Sequence, residues 1–146
     1  MTIRTATAEW YGDLAKGSGR MRLGTGAFNG CFDLRSRMDD GPGTNPEELL
    51  GAAHAGCFSM ALAHQLSQAG YSVERIETTA KVHFERDKAG GWSIPLIELT
   101  AEARAHGIST AVFAEQAEKA RKNCPVSKAL ASVDIRLNAT LVAAAA

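Results

Sequence analysis

Three cysteines, Cys31, Cys57 and Cys124, are the side chains of this 146-residue chain best suited to covalent chemistry, and their settings differ. Cys57 lies within GAAHAGCFSMAL, where loss of water raises a thiol's pKa and makes it inert, so its surroundings alone make it a small core side chain. Cys124 precedes Pro125 at the expected N-cap of a short helix, with Lys119, Arg121, Lys122 and Lys128 close in sequence. Helix dipole and cations both favour a thiolate there. Local sequence thus makes Cys124 the better nucleophile, and Cys57 needs a cation from elsewhere, for which Arg37 is one candidate. His54, three residues before Cys57 on the same helix face, makes a Cys-His pair that suits either an activated nucleophile or two metal ligands. A metal site needs three or four ligands, and the sequence has neither CxxC nor HxxxH spacing, so a satisfied core histidine is the simpler reading. His64 reads as merely polar, and His83 and His106 carry no motif.

The element that must position these groups is the stretch from Thr44 to Gly70. Thr44 or Asn45 serves as N-cap, Pro46 stands where a missing N–H costs nothing, and Glu47 or Glu48 completes a capping box. From Leu49 to Ala63 only His54 and Ser59 are polar, so the helix is expected to be buried all round. The run is too short for a membrane span, which needs about 20 apolar residues. Gly51, Ala52, Ala55 and Gly56 leave room for close packing against the backbone.

Around this helix, the pattern gives strands over Ile3 to Trp10 and Arg20 to Leu23. The alternation of Phe32, Leu34, Ser36 and Met38 predicts a strand from Cys31 to Met38, with Arg37 on its polar face. DDGPG then breaks structure. Beyond Gly70, Ile76 to Phe84 alternate as a strand, RDKAGG connects a hairpin, and Ile97, Leu99, Ala101 and Ala103 mark the returning strand. Ser109 or Thr110 caps a helix over AVFAEQAEKARKN, whose charged face is a solvated surface; Cys124-Pro125 interrupts it before the short turn VSKAL. Val133 to Leu141 close the fold, and the AAAA tail is expected to fray. The order βββ-α-ββ-α-β argues a single α+β domain over residues 1–146 with largely antiparallel sheet.

Composition limits the partners. Sixteen basic residues balance sixteen acidic ones, so neither nucleic acid nor an anionic membrane is expected. The opening MTIRTATAEWYGD lacks a signal-peptide core, and three cysteines make no disulfide framework, which together point to the reducing cytoplasm.

The run GTNPEELLGAAHAGCFSMAL, followed further on by KNCPVSKAL, resembles the osmotically inducible protein C (OsmC) and organic hydroperoxide resistance (Ohr) superfamily, and GAAHAGC resembles its OsmC branch. The likeness covers nearly the whole chain, including MTI and EWYGD. It implies an intertwined homodimer of OsmC-like fold and a thiol peroxidase that needs no cofactor or metal. In it Cys57 attacks the peroxide and Cys124 resolves the sulfenic acid as a disulfide, which a dithiol reductant, a lipoylated protein or a thioredoxin-type partner, then reopens. By the same resemblance Arg37 and Glu47 match the family's arginine and glutamate, while Cys31 matches nothing and reads as structural.

The chemistry of these residues is compatible. A thiol of pKa about 8.5 is only a few per cent ionised at pH 7, and a neighbouring guanidinium lowers an acid's pKa by about one to three units. The same guanidinium can bind the peroxide oxygens, with Glu47 gripping it bidentately from behind rather than touching the sulfur. Glu47 and Cys57 lie ten residues apart, about 15 Å of helix rise, so one chain can hardly bring both to one sulfur. Two helices crossing antiparallel near Ala52 would solve this, with Arg37 and Glu47 from one chain and the cysteines from the other. Organic hydroperoxides are favoured, with hydrogen peroxide a second candidate, where Phe58, Met60 and Phe113 line the pocket. Two alternatives stay open: a Cys57-His54 acyl-transfer enzyme, and a non-catalytic redox or metal-sensing dimer.

Overall fold

The computed structural model describes residues 1–142, and the AAAA tail lies outside the described residues. The described residues form two compact units that divide between Leu49 and Leu50.

The first unit holds an antiparallel sheet of β1 (Ala6–Tyr11), β2 (Ser18–Leu23) and β3 (Asn29–Phe32) in sequential order. Gly19 lies directly against the Phe32 ring, and a Cβ there would come within 2.6 Å of a ring carbon. The strand expected from Cys31 to Met38 is instead two elements: β3 stops at Phe32, and Leu34–Met38 form a short helix, α1. Asp33 is its N-cap, accepting from Ser36 N–H while the Ser36 hydroxyl takes the Asp33 N–H, a reciprocal box that outweighs a four-residue apolar alternation. Arg37 therefore leaves a helix. The Ser36 hydroxyl also reaches the Thr44 carbonyl at 2.8 Å, fastening α1 to the following loop.

Helix α2 runs over Pro46–Gln68. Asn45 caps it by accepting from Glu48 N–H at 2.8 Å, and the Glu48 carboxylate takes the Thr44 hydroxyl. Gly70, at φ 87°, ends the helix: its N–H reaches Ser67 O and the Tyr71 N–H reaches Leu66 O, the paired bonds that close a helix through a left-handed residue. The expectation of burial on every side does not hold. Gly51, His54, Phe58, Leu62 and Leu66 form the inward stripe, while Ala52, Ala53, Gly56 and Met60 are exposed. Among the described residues, no helix is long and apolar enough to cross a membrane.

In the second unit β4 (Val73–Arg86) and β5 (Trp92–Ala105) form a long hairpin, and β6 (Asp134–Val142) joins β5 in parallel. That parallel pairing follows from the connection, since α3 (Thr110–Asn123) and α4 (Pro125–Ala129) carry the chain back before β6 begins. Ile97, Leu99, Ala101 and Ala103 of β5 pack with Phe58, Leu62 and Leu66 of α2 and with Phe113, Ala117 and Ala120 of α3 in one core. Gly51 of α2 packs against β4: a Cβ there would stand 3.3 Å from Val82 Cγ2. Gly56, by contrast, has open space around it.

Candidate active site

Cys57 lies in the middle of α2, and Cys124 links α3 to α4. Cys124 continues the buried face of α3 set by Phe113, Ala117 and Ala120, and the two sulfurs meet at 2.9 Å with both thiols free. Their exposures differ. Cys124 is fully buried, whereas Cys57 is half-buried and opens on an apolar pocket of about 520 Å³ lined also by Met60, Ala61, His64, Asn123 and Pro125. Phe58 and Phe113, expected as pocket walls, belong to the core instead, because each lies on the inward stripe of its helix.

The thiols titrate as a pair, since at this distance one proton is held between them and a second negative charge is opposed. Burial pushes the Cys57 thiol up, the Cys124 sulfur adds to the rise, and the Val126 N–H partly offsets it. Burial would also raise Cys124, but the bond to Cys57 and the donors of Ser127 and Val126 outweigh it and hold this thiol below the ordinary range. The first turn of α4 thus supplies neutral donors to the sulfurs. Three of the four basic residues expected to do so are engaged on α3 instead: Lys119 pairs with Glu115 at 2.7 Å, and Arg121 and Lys122 pair with Glu118.

Arg37 and Glu47 meet within the first unit. Arg37 Nε lies 3.2 Å from both carboxylate oxygens and Nη2 lies 2.7 Å from Oε1, a two-nitrogen grip on one carboxylate. Glu47 is 8% exposed. The four expected residues therefore form two pairs, one in each unit.

His54 is fully buried, and its Nε2 lies 2.8 Å from Ser127 Oγ. Its Nδ1 has no hydrogen-bond partner, so the histidine is only half satisfied. Ser127 escaped the sequence reading. Its only local mark is its place three residues after Cys124 in a proline-opened helix, where the Cys124 N–H goes to Ala120 O and not to the serine hydroxyl. His83 pairs with Glu98 at 2.7 Å, and Arg20 Nη2 stands 2.9 Å from the exposed Cys31 sulfur. Among the described residues, no cluster of three or more histidine, cysteine or acidic side chains could hold a metal ion.

A half-buried central helix and a three-stranded mixed sheet, with two cysteine sulfurs 2.9 Å apart beside an apolar pocket, define a thiol-redox type of protein. The chain belongs to the OsmC-like protein family, whose model matches residues 39–138. It is 41% identical over 132 residues to the peroxiredoxin OsmC of Escherichia coli (strain K12), covering 89% of this chain and 92% of that relative. It is 32% identical over 108 residues to an organic hydroperoxide resistance protein-like chain of Staphylococcus aureus (strain USA300), covering 70% and 74%. The crystal structure of the organic hydroperoxide resistance protein OhrB of Bacillus subtilis matches with a TM-score of 0.71 at 26% identity, covering 93% of this chain and 98% of that one.

Proposed function

We propose that this chain is a cysteine-based peroxidase that reduces organic hydroperoxides through Cys57 and Cys124. The observation that carries the reading is the 2.9 Å approach of two free sulfurs, one opening on an apolar pocket and the other sealed behind it. The Cys57 thiolate attacks the peroxide O–O bond; its sulfur takes one oxygen as sulfenic acid, and the alkoxide leaves and is protonated to the alcohol. Cys124 then displaces that oxygen as water and forms the Cys57–Cys124 disulfide, which protects the site from further oxidation. A dithiol reductant reopens it, in keeping with a reducing cytoplasm.

Arg37, locked by Glu47, supplies the positive charge that favours the attacking thiolate and the departing alkoxide. A homodimer is the assembly that suits this chemistry. The exposed face Ala52, Ala53, Gly56 and Met60 presents small side chains and a methionine 77% exposed, a surface on which a second copy's helix can lie close. In such a dimer the Arg37–Glu47 pair of one chain serves the cysteines of the other.

Single-turnover and steady-state assays with an organic hydroperoxide and excess dithiol test the reading. Cys57→Ser is expected to abolish consumption, and Cys124→Ser to give one turnover followed by overoxidation or slow recycling. Full turnover in Cys57→Ser would refute it. A protein monomeric by light scattering that keeps full activity on dilution would refute the dimeric site.

A further inference from the structure

His54 has no part in the chemistry above, yet it is fully buried and touches that chemistry through Ser127, 2.8 Å away. Burial pushes its imidazolium form down in pKa, so the ring is neutral and carries a single N–H. Placing that hydrogen on the partnerless Nδ1 would bury an unpaired donor, whereas placing it on Nε2 leaves only a bare lone pair, the more tolerable defect. Nε2–H therefore donates to Ser127 Oγ. The hydrogen of the serine hydroxyl is then turned away from His54. Ser127 is the third residue after Cys124, inside the helix that Cys124 opens, and it is one of the groups that hold the Cys124 thiol low.

We infer that His54 and Ser127 are positioning residues for the second half of the cycle: His54 fixes the Ser127 hydroxyl so that its O–H faces Cys124 Sγ and keeps that sulfur ready to attack oxidised Cys57. The inference rests on the peroxidase reading. In the step concerned, the Cys124 thiolate forms the S–S bond while the Cys57 S–O bond breaks. Cys124 is oxidised as the sulfenyl sulfur is reduced, and the departing hydroxide takes a proton from solvent to become water. No outside oxidant or reductant enters.

The experiment separates the two half-reactions by rapid mixing of reduced protein with an organic hydroperoxide, followed by mass analysis of quenched samples. Ser127→Ala is expected to slow disulfide closure relative to sulfenic acid formation by about three- to ten-fold. Loss of a hydrogen bond to a thiolate lowers its population by roughly ten-fold or more, and the greater nucleophilicity of the more basic thiol returns about half of that on a logarithmic scale. Cys57 sulfinic acid should rise in step. His54→Met, of similar bulk but without a donor, should act in the same direction, and Ser127→Thr should restore closure. Closure at the wild-type ratio in both Ser127→Ala and His54→Met, or equal slowing of both steps, would overturn the inference and leave the peroxidase reading standing. Wild-type protein that consumes hydroperoxide without forming the Cys57–Cys124 disulfide would overturn the reading, and the inference with it.

Discussion

The Arg37–Glu47 pair gives the sharpest test of how the guanidinium is held. Glu47 is 8% exposed, and Arg37 Nε and Nη2 both point at its carboxylate, so Glu47→Gln turns one of two acceptor oxygens into a donor facing another donor. A fully buried ion pair that loses a partner costs about 3–5 kcal/mol, and an exposed one about 0.2–1. The Arg37 side chain is 39% exposed and regains part of its hydration, which places the expected loss between these limits, at about 2 kcal/mol. For a chain of this size that is a fall in Tm of roughly 4–8 °C at fixed protein concentration. A double-mutant cycle of Glu47→Gln with Arg37→Gln, read by denaturant unfolding, should return a coupling of about 1.5–2.5 kcal/mol. With the arginine loosened, kcat/KM for hydroperoxide should fall by about ten-fold or more. A coupling below about 0.3 kcal/mol, or unchanged kcat/KM, would refute the reasoning.

Two further outcomes are expected. Gly51→Val should destabilise the protein by about 1–3 kcal/mol, since even a Cβ at that site would stand 3.3 Å from Val82 Cγ2; denaturant unfolding measures the loss. Thiolate absorbance of the reduced protein should show the Cys57–Cys124 pair ionising in two separate steps, the first below the ordinary thiol range and the second above it. The linkage signs are opposite. The raised step of the pair contributes stability that is full below the unfolded thiol pKa of about 8.5 and is lost as pH rises through the raised folded value. The lowered step contributes stability that is present above about 8.5 and is lost as pH falls through the lowered folded value.

Local signals made much of this architecture legible. Pro46 with its flanking capping residues, the alternation through Ile97 to Ala103, the Ser109 cap and Gly70 each act within a few residues, and each stands where its chemistry requires. Misreadings arose where two local signals competed or where burial depended on distant packing. Phe32, Leu34, Ser36 and Met38 alternate like a strand, but the Asp33–Ser36 box nucleates a helix turn across the same residues. Phe58 and Phe113 are apolar and near the cysteines in sequence, yet whether they face the pocket or the core is set by helix phase. Lys119, Arg121 and Lys122 stand near Cys124 in sequence like thiolate partners, and acidic neighbours one helical turn away engage them instead. The His54–Ser127 bond spans 73 residues and has no local signature at all.

The central claim is that Cys57 and Cys124 of one chain form the redox pair. Its most direct test is the thiol count and disulfide-mapped mass of reduced protein after one equivalent of an organic hydroperoxide. The expected result is loss of two thiols per chain, a Cys57–Cys124 linked peptide and an unmodified Cys31. Retention of all three thiols, or a disulfide that joins either sulfur to Cys31 or to another chain, would contradict it.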